Sequence, residues 1–360
     1  MALAGVADLD NTPAASLSIN APDGGPRPVS ALRHARACWD ATFGGSLPRV
    51  RGGSRQAIAL MYHEVLPDDV DIPSWMVVKQ SAFEHQMCWL REHFNVVDLE
   101  TVVDQFEGHS RAQPSDKPLA IVTFDDGYAG NLSCVLPIMR SLQLPFVVYV
   151  ATRATRERRR FWYDEVASAL MNPDKPIHRI NTSRGTLTFR YGSDSQSRRW
   201  DRINSILTIV KRLPAQEREA LAQAIEGKRA FSEYRMLTAD EVATLSRDAL
   251  VSIGNHTHTH DLLDQIDIEQ ARSSIVRAQE VLSDLTGMAP RHFSYPNGNH
   301  SGELEELVKS LGFRTAVATT FGVWRDKTSK YRIPRLSVGR FDSLWKFRLR
   351  ALLAVTTTVS

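Results

Sequence analysis

The sequence predicts an α/β fold built on a parallel sheet, either open or closed into a barrel. Short apolar runs typical of buried strands alternate with segments whose apolar residues recur at helical spacing. The 360 residues, 42% of them hydrophobic, are enough to bury one large core or two smaller ones. In such folds ligands bind at the carboxyl ends of the strands. Residues that directly follow each apolar run are therefore the candidates for chemistry.

The alternation is regular as far as residue 151. Four apolar runs are predicted as strands: 57–62 (AIALMY), 94–99 (FNVVDL), 119–124 (LAIVTF) and 145–150 (PFVVYV). After the first run, Phe83, Met87 and Leu90 recur at the i, i+4, i+7 spacing of an amphipathic helix. A second helix is expected over residues 131–142.

The pattern breaks after residue 151 and resumes near residue 238. Residues 153–235 carry an arginine-dense run, TRERRRFW, and a mixed helical pattern, so we interpret them as a helical insertion. Downstream, Thr238 is a predicted helix N-cap because Glu241 follows three residues later. Helices over 239–247, 268–286 and 302–311 then alternate with strands at LVSIG, HFSYP, RTAVAT and IPRLSV.

The two ends of the chain differ from its centre. Residues 1–55 are rich in Ala, Pro, Gly, Ser and Arg and are predicted as a flexible arm, with one candidate helix around 32–43. Residues 343–360 form an amphipathic tail. Two interpretations of the tail stay open, packing on the domain and contact with a membrane surface. The central domain is assigned to residues 56–342.

Composition excludes several classes of function. The 44 Lys+Arg and 41 Asp+Glu leave a net charge of +3, which indicates no nucleic-acid partner. The three cysteines are far apart and support neither a disulfide framework nor a zinc ribbon. No signal peptide is visible and no stretch approaches the roughly 20 apolar residues that span a bilayer, so a cytoplasmic location is expected. The oligomeric state is not indicated.

The strongest motif is TFDDGY, at residues 123–128. Neighbouring side chains on a strand point to opposite faces, so Asp125 and Asp126 can converge only where the chain bends, and Gly127 permits the bend. Two close carboxylates repel each other unless a cation or a proton lies between them. Taken alone, the motif is also compatible with a solvated turn in which an aspartate caps a helix.

A second motif, HTHTH at residues 256–260, places three histidines within five residues. His256 and His260 share a face whether the backbone is helical or extended, whereas His258 joins them only in an extended chain. Clustered histidines after a strand favour a metal site. Two imidazoles and one carboxylate form the open three-ligand arrangement of catalytic zinc.

Two weaker motifs follow other predicted strands. In FSYPNG, at residues 293–298, the turn exposes backbone N–H groups that can face an oxyanion, although a plain turn explains the pattern equally well. In MYHEV, at residues 61–65, His63 closes the first strand. It is either a capped surface histidine or a further functional residue, and its place at the mouth where the other motifs gather favours function.

With these residues in view, the chain resembles the polysaccharide deacetylase family, the NodB-homology fold of carbohydrate esterase family 4. TFDDGY reads as the first motif of that family and HTHTH as its second. FSYPNG stands where the third motif usually reads Arg-x-Pro-x-Gly. The resemblance covers about residues 57–340. It implies a distorted parallel (β/α) barrel, here with a helical insertion.

The resemblance also implies a metal site. Asp126, His256 and His260 would hold a divalent metal ion, zinc in the first place. Asp125 would be the general base that takes a proton from the attacking water. A zinc-bound water has a pKa near about 7, so a nearby carboxylate can complete its deprotonation.

The oxyanion and substrate side of the site departs from the family pattern. The backbone N–H of Asn297 would help to hold the oxyanion, and Tyr128 and Tyr295 would lie towards the substrate. Ser294 stands where the family has an arginine that orients the base. The family's late Leu-x-His motif is missing, but permuted members carry this histidine on the first strand, and His63 would then be the general acid.

The implied function is a metal-dependent N-deacetylase. It would remove acetyl groups from an amino-sugar polymer or oligomer, such as a chitooligosaccharide or a poly-N-acetylglucosamine. Two alternatives stay open: another non-peptide amide hydrolase on the same fold, of deformylase or cyclic-amide type, and a non-catalytic protein that binds metal or glycan. The expected partner is an N-acetylated glycan.

Overall fold

The computed structural model describes residues 56–72, 74–109, 117–172, 175, 177–192, 195–225 and 234–356. The predicted flexible arm, with its candidate helix at 32–43, lies outside these residues. The strands are β1 (Gln56–Tyr62), β2 (Glu64–Leu66), β3 (Val77–Lys79), β4 (Asn95–Val96), β5 (Leu119–Phe124), β6 (Phe146–Val150), β7 (Ile177–Thr182), β8 (Gly185–Arg190), β9 (Val251–Asn255), β10 (His292–Ser294), β11 (Thr315–Val317), β12 (Trp324–Arg325) and β13 (Leu336–Ser337).

Helices cover the faces of the sheet. Their bounds are Gln80–His93, Leu99–Phe106, Leu136–Leu142, Thr152–Glu157, Trp162–Leu170, Gln196–Val210, Ala215–Ala224, Ala239–Ser246, Ile268–Thr286, Gly302–Ser310 and Leu344–Thr356. A π-helical turn, Asn131–Val135, precedes the third of them. The predicted N-cap at Thr238 is confirmed, because its side chain accepts a hydrogen bond from the backbone N–H of Glu241 in a complete capping box.

The main sheet, as far as the structure describes it, has nine strands, and seven of them follow the order β11-β10-β9-β6-β5-β1-β12. All pairs along this path are parallel except β1 with β12, while β4 joins β5 and β13 joins β1. The result is a curled half-barrel, which confirms the predicted distorted (β/α) barrel. The largest hydrophobic cluster packs around β1, β5 and β6.

One predicted strand is much shorter in the structure. Only Asn95–Val96 of the run 94–99 pairs as a strand, and a helix begins at Leu99. The reason is Asp98, whose carboxylate accepts the backbone N–H of Thr101 at 2.7 Å and so caps that helix.

The sequence predicted a helical insertion, but the insertion also contains two strands. β7 and β8 form an antiparallel hairpin within it, and the alternating burial of β7 explains why a helical pattern fails there. Helices Trp162–Leu170, Gln196–Val210 and Ala215–Ala224 pack with the hairpin around a hydrophobic cluster of their own. The insertion therefore carries its own small core.

The C-terminal tail forms the helix Leu344–Thr356 and packs on the domain. Phe347 is buried and meets the edge of Trp89, with ring centroids 5.8 Å apart. Of the two interpretations of the tail, packing on the domain is the one that the structure shows. No helix among the described residues combines the length and the apolar character needed to cross a membrane.

Candidate active site

The predicted site residues follow four parallel strands of one sheet, β10, β9, β5 and β1, with β6 between β9 and β5. The register pairs Tyr62 with Phe124, Phe124 with Val148, and Val150 with Asn255, so the parallel strands end at one edge of the sheet. His63, Asp125 and His256 each come directly after a strand that ends at this edge. Parallel pairing thus brings together residues that are up to 193 positions apart in the sequence.

The two aspartates lie at a bend after β5, and the bend itself is the one that the sequence predicts. Gly127 has a φ of +84°, and a Cβ there would lie 3.3 Å from Val150. Asp126 itself has a φ of +76°. The backbone N–H of Asp125 bonds to the carbonyl of Tyr62 at 2.9 Å, which ties the turn to the end of β1. The two buried carboxylates can therefore serve different neighbours.

Asp126, His256 and His260 form a cluster with metal-ligand geometry. One carboxylate oxygen of Asp126 lies 3.3 Å from Nε2 of His256 and 3.2 Å from Nε2 of His260. The candidate ligand atoms all lie within 4.8 Å of one another. Nδ1 of His256 is 2.7 Å from the carbonyl of Ser294, which makes that nitrogen the donor and leaves Nε2 free to bind a metal. The donor set fits a zinc ion.

His258 does not join the cluster. Its Nδ1 is 2.8 Å from the hydroxyl of Thr152, at the start of a helix. The left-handed backbone at Thr257 and His260, with φ of +67° and +58°, separates the three histidines. The chain here is neither helical nor extended, yet His256 and His260 stay together as both geometries had predicted.

Arg335 is a site residue that the sequence analysis missed. Its guanidinium is fully buried and holds the carboxylate of Asp125 with two hydrogen bonds, of 2.8 and 2.7 Å. Its remaining donors reach the carbonyl of Ala318 and the hydroxyls of Thr123 and Ser294. The residue precedes β13, in the run IPRLSV, where a lone arginine among apolar residues was the available signal.

Arg335 therefore contacts Asp125 in the way expected of the family arginine, whose position is occupied by Ser294 in this chain. Burial alone would raise the pKa of Asp125, but the charge of Arg335 and its hydrogen bonds outweigh burial and hold that pKa below its usual range. Ser294 donates to the same carboxylate at 3.2 Å. Asp125 is thus kept ionised and fixed in orientation, as a general base requires.

His63 lies at the wall of the same cavity as the aspartates and histidines. Its ring meets the edge of Trp75, with centroids 5.1 Å apart, and its Nδ1 is buried without a hydrogen-bond partner among the described residues. Burial lowers the pKa of His63, against the raising effect of Asp126 and Asp125. The catalytic and metal-binding residues predicted from the sequence therefore line one cavity: His63, Asp125, Asp126, His256 and His260.

The remaining predicted residues divide into two groups. Asn297 lines the cavity in a left-handed conformation, φ +59°. Tyr128 and Tyr295 are fully buried instead, and their hydroxyls bond to Asp164 at 2.8 Å and to the carbonyl of Tyr331 at 3.0 Å. Neither tyrosine is part of the cavity wall, so the structure places both in the packing behind the site.

The cavity has a volume of about 510 Å³ and is bounded on one side by the insertion. Tyr163 from the insertion donates a hydrogen bond to Asp126 at 3.1 Å. The neighbouring carboxyl of Asp164 has its pKa raised to about 7, mainly by burial. The side chains that the insertion contributes are Trp162, Tyr163, Asp164, Ala167, Ser168, Trp200, Asn204, Leu207, Thr208, Lys211, Arg218 and Tyr234.

The half-barrel gathers a carboxylate pair and two histidines in one cavity, with a buried arginine bound to one of the carboxylates. The model of the polysaccharide deacetylase family matches residues 112–316, which is more than half of the chain. The chain therefore belongs to the polysaccharide deacetylase family.

Two curated proteins of known name are similar over a short stretch. The poly-beta-1,6-N-acetyl-D-glucosamine N-deacetylase of Escherichia coli strain K12 is 32% identical over 90 residues, and that of Escherichia coli O157:H7 matches equally. The match covers 25% of this chain and 13% of the length of each relative.

Solved structures show the same fold. The Streptococcus pyogenes deacetylase PplD, in complex with acetate, superposes with a TM-score of 0.55 at 14% identity, over 82% of this chain and 98% of its own. IcaB from Ammonifex degensii has a TM-score of 0.54 at 17% identity, over 83% of this chain and 98% of its own. At these identities the similarity concerns the fold alone.

Proposed function

We propose that the protein is a metal-dependent N-deacetylase of N-acetylated amino-sugar glycans. The observation that carries the proposal is that two adjacent aspartates contact different partners. Asp126 faces His256 and His260, whereas Asp125 faces Arg335. Metal binding alone needs one carboxylate, so the second, held ionised by a buried arginine, supports catalysis.

In this proposal Asp126, His256 and His260 hold the metal ion, with zinc as the expected ion. When bound, the metal lowers the pKa of a water molecule and polarises the acetamide carbonyl. Asp125 accepts the proton of the attacking water, and Arg335 keeps its carboxylate in place. Water and the N-acetyl sugar then yield acetate and the free amine.

The other two proposed roles concern the tetrahedral oxyanion and the leaving group. The backbone N–H of Asn297 faces the oxyanion, and His63 donates a proton to the leaving amine. Support for His63 comes from its place on the cavity wall and from its buried, unpartnered Nδ1. A capped surface histidine would not be buried at this position.

A polymer or oligomer of N-acetylglucosamine is the proposed substrate class, in line with the names of the two Escherichia coli relatives. Loss of the family arginine had favoured a non-catalytic glycan-binding protein. Arg335 removes that support, because it supplies an arginine contact to Asp125 from the segment just before β13. The cytoplasmic location stays a prediction from sequence.

The test is acetate release from N-acetylglucosamine oligomers by the zinc-loaded protein. Asp125→Asn keeps the shape of the side chain and should lower the rate by about 10²- to 10⁴-fold, the usual contribution of a general base. Asp240→Asn, at an exposed position in a helix, is the matched control. Turnover of formamides or cyclic amides only would identify the other amide hydrolase, and no turnover with bound metal would identify a binding protein.

A further inference from the structure

Two cations of the insertion face the cavity without a carboxylate partner. Lys211 follows the helix Gln196–Val210, and Arg218 lies in the next helix, Ala215–Ala224. Both side chains line the cavity that contains the metal cluster. Among the described residues, no carboxylate oxygen lies within 4.0 Å of their side-chain nitrogens.

Arg218 is buried, with 4% of its surface exposed. Its hydrogen bonds all use Nη1 and reach neutral acceptors: the carbonyls of Lys211 and Leu213, at 3.0 and 2.8 Å, and the amide oxygen of Gln265, at 3.5 Å. Its Nε is buried and has no hydrogen-bond partner in the described part of the chain. The hydrogen bonds fix the guanidinium in place but do not pair its charge, which Asp261 and Glu219 offset only in part, without an ion pair within 4.0 Å.

Lys211 is half-buried, and its ammonium contacts the amide oxygen of Asn297 at 2.5 Å, again a neutral group. Burial lowers the pKa of Lys211, and the nearby charge of Arg218 lowers it further, while Asp264 opposes both from a longer distance. The carboxyl of Asp164 also lines the cavity, but its pKa is raised to about 7, so it carries only part of a full negative charge near neutrality.

Buried cations are normally paired, because the loss of hydration is costly. Two other arginines of the described part of the chain, Arg335 and Arg160, have side chains that are little exposed, and both follow that rule. Arg335 binds Asp125 at 2.7 Å, and Arg160 lies 3.5 Å from Glu165. Arg218 departs from it at the wall of the substrate cavity, beside a second cation. An anion between the two would compensate both charges.

We propose that Lys211 and Arg218 form an anion-binding subsite of the cleft, which holds a carboxylate or phosphate group of the glycan near the sugar that is deacetylated. This inference rests on the proposed function and narrows its substrate class. Lys211 also contacts Asn297 of the proposed oxyanion turn, so an anion held there lies next to the reacting sugar.

Two sources could supply the anion. A uronic acid residue next to the N-acetyl sugar would supply a carboxylate, and a sugar attached through phosphate would supply a phosphate. The rings of Trp162 and Trp200 line the same side of the cavity and suit the apolar faces of a sugar in either case. The experiment distinguishes the carboxylate from the phosphate by using a separate probe for each.

The experiment measures binding by calorimetry in the Asp125→Asn background, so that no turnover is needed. The probes are a neutral N-acetylglucosamine tetrasaccharide, a tetrasaccharide of alternating N-acetylglucosamine and glucuronate, and N-acetylglucosamine 1-phosphate. We expect one anionic probe to bind about ten- to hundredfold more tightly than its neutral counterpart, as charge-assisted hydrogen bonds permit. Lys211→Met should abolish this preference.

Three controls accompany Lys211→Met. Lys211→Arg should retain the preference for the anion, and so should Lys309→Met, which removes an exposed lysine from another helix. In the unsubstituted cleft, added salt should weaken the binding of the anionic probe and leave that of the neutral probe unchanged. This last measurement keeps the test valid if the Lys211 variant does not fold.

Equal affinity for neutral and anionic probes would overturn the subsite. So would a loss of affinity in Lys211→Met that is the same for both probes, because it would mean that Lys211 merely positions Asn297. If the active protein deacetylates no glycan while the binding preference follows the expected pattern, the proposed function fails and the subsite stands. If the protein deacetylates neutral oligomers and shows no preference for the anionic probes, the subsite fails and the proposed function stands.

Discussion

Replacement of Arg335 by methionine tests how the site holds its proposed general base. Arg335→Met keeps much of the side-chain length and removes the charge and every donor of the guanidinium. Asp125 is then left as a buried carboxylate whose remaining side-chain contact is the hydroxyl of Ser294, at 3.2 Å. The perturbation therefore acts on stability and on the pKa of Asp125 at the same time.

The magnitude follows from the contacts. The two hydrogen bonds to Asp125 are charge-assisted, at 2.8 and 2.7 Å, and each such bond contributes about 1.5–3 kcal/mol. Removal of one partner of a buried ion pair costs about 3–5 kcal/mol, which agrees with the sum of the two bonds. We expect Arg335→Met to lower the free energy of unfolding by about 3–5 kcal/mol.

The assay is urea unfolding of Arg335→Met, Asp125→Asn and the double variant. Each single substitution leaves one buried charge unpaired, whereas the double substitution removes both charges. The double variant should therefore lose at least about 2 kcal/mol less than the sum of the single variants, a coupling typical of residues in direct contact. Arg332→Met is the control, because Arg332 is exposed and lies 3.9 Å from Glu305.

Kinetics give an independent measure of the same contact. Arg335→Met removes the largest effect that opposes burial at Asp125, so the pKa of Asp125 should rise and the acidic limb of kcat/KM should move to higher pH. Additive stabilities to within about 0.5 kcal/mol would refute the reasoning. An unmoved acidic limb in an active variant would also refute it, since Asp125 would then not depend on Arg335.

Three further predictions concern the metal, the general acid and a buried carboxyl. Chelation should abolish acetate release and zinc restore it, and His260→Ala should weaken zinc binding at least about tenfold, whereas His258→Ala should not. Burial lowers the pKa of His63 from its ordinary 6.5, so activity should fall as the pH rises through the lowered pKa, and a basic limb that persists in His63→Ala would exclude this role. Asp164 has a pKa of about 7 when folded, against an ordinary 3.8. The folded state thus holds a proton that the unfolded chain has lost, and stability should fall by about 1.4 kcal/mol per pH unit between these values. Urea unfolding in chelator at pH 5 and pH 7 should show a slope that Asp164→Asn lowers by about this amount and that the exposed Asp201→Asn leaves unchanged.

The sequence predicted the sheet well because burial on both faces of a parallel strand leaves a continuous apolar run. AIALMY, LAIVTF and PFVVYV correspond closely to β1, β5 and β6. The run FNVVDL misled because its aspartate caps a helix, and a cap depends on the residues that follow it. The hairpin of the insertion was missed because β7 alternates exposed and buried residues within a polar segment.

The candidate site could be predicted only where its residues stand together in the sequence. Asp125 with Asp126, and His256 with His260, are local pairs that strand ends bring to one edge. Arg335 lies 210 residues after Asp125, and its partner depends on the pairing of β13 with β1. No local pattern carries that information, so only the position of a charged residue in an apolar run could have drawn attention to it.

Backbone strain explains why the exact form of the site also escaped the sequence. Four residues other than glycine in the site loops have a positive φ: Asp126, Thr257, His260 and Asn297. Such conformations cost about 1–3 kcal/mol each and persist only where the surroundings impose them. At Thr257, for example, the backbone N–H bonds to Asn255 at 2.7 Å, and the hydroxyl accepts the backbone N–H of His260 at 3.0 Å. The intrinsic backbone preference of each of these residues is a negative φ. The contacts that override this preference also orient the candidate metal ligands.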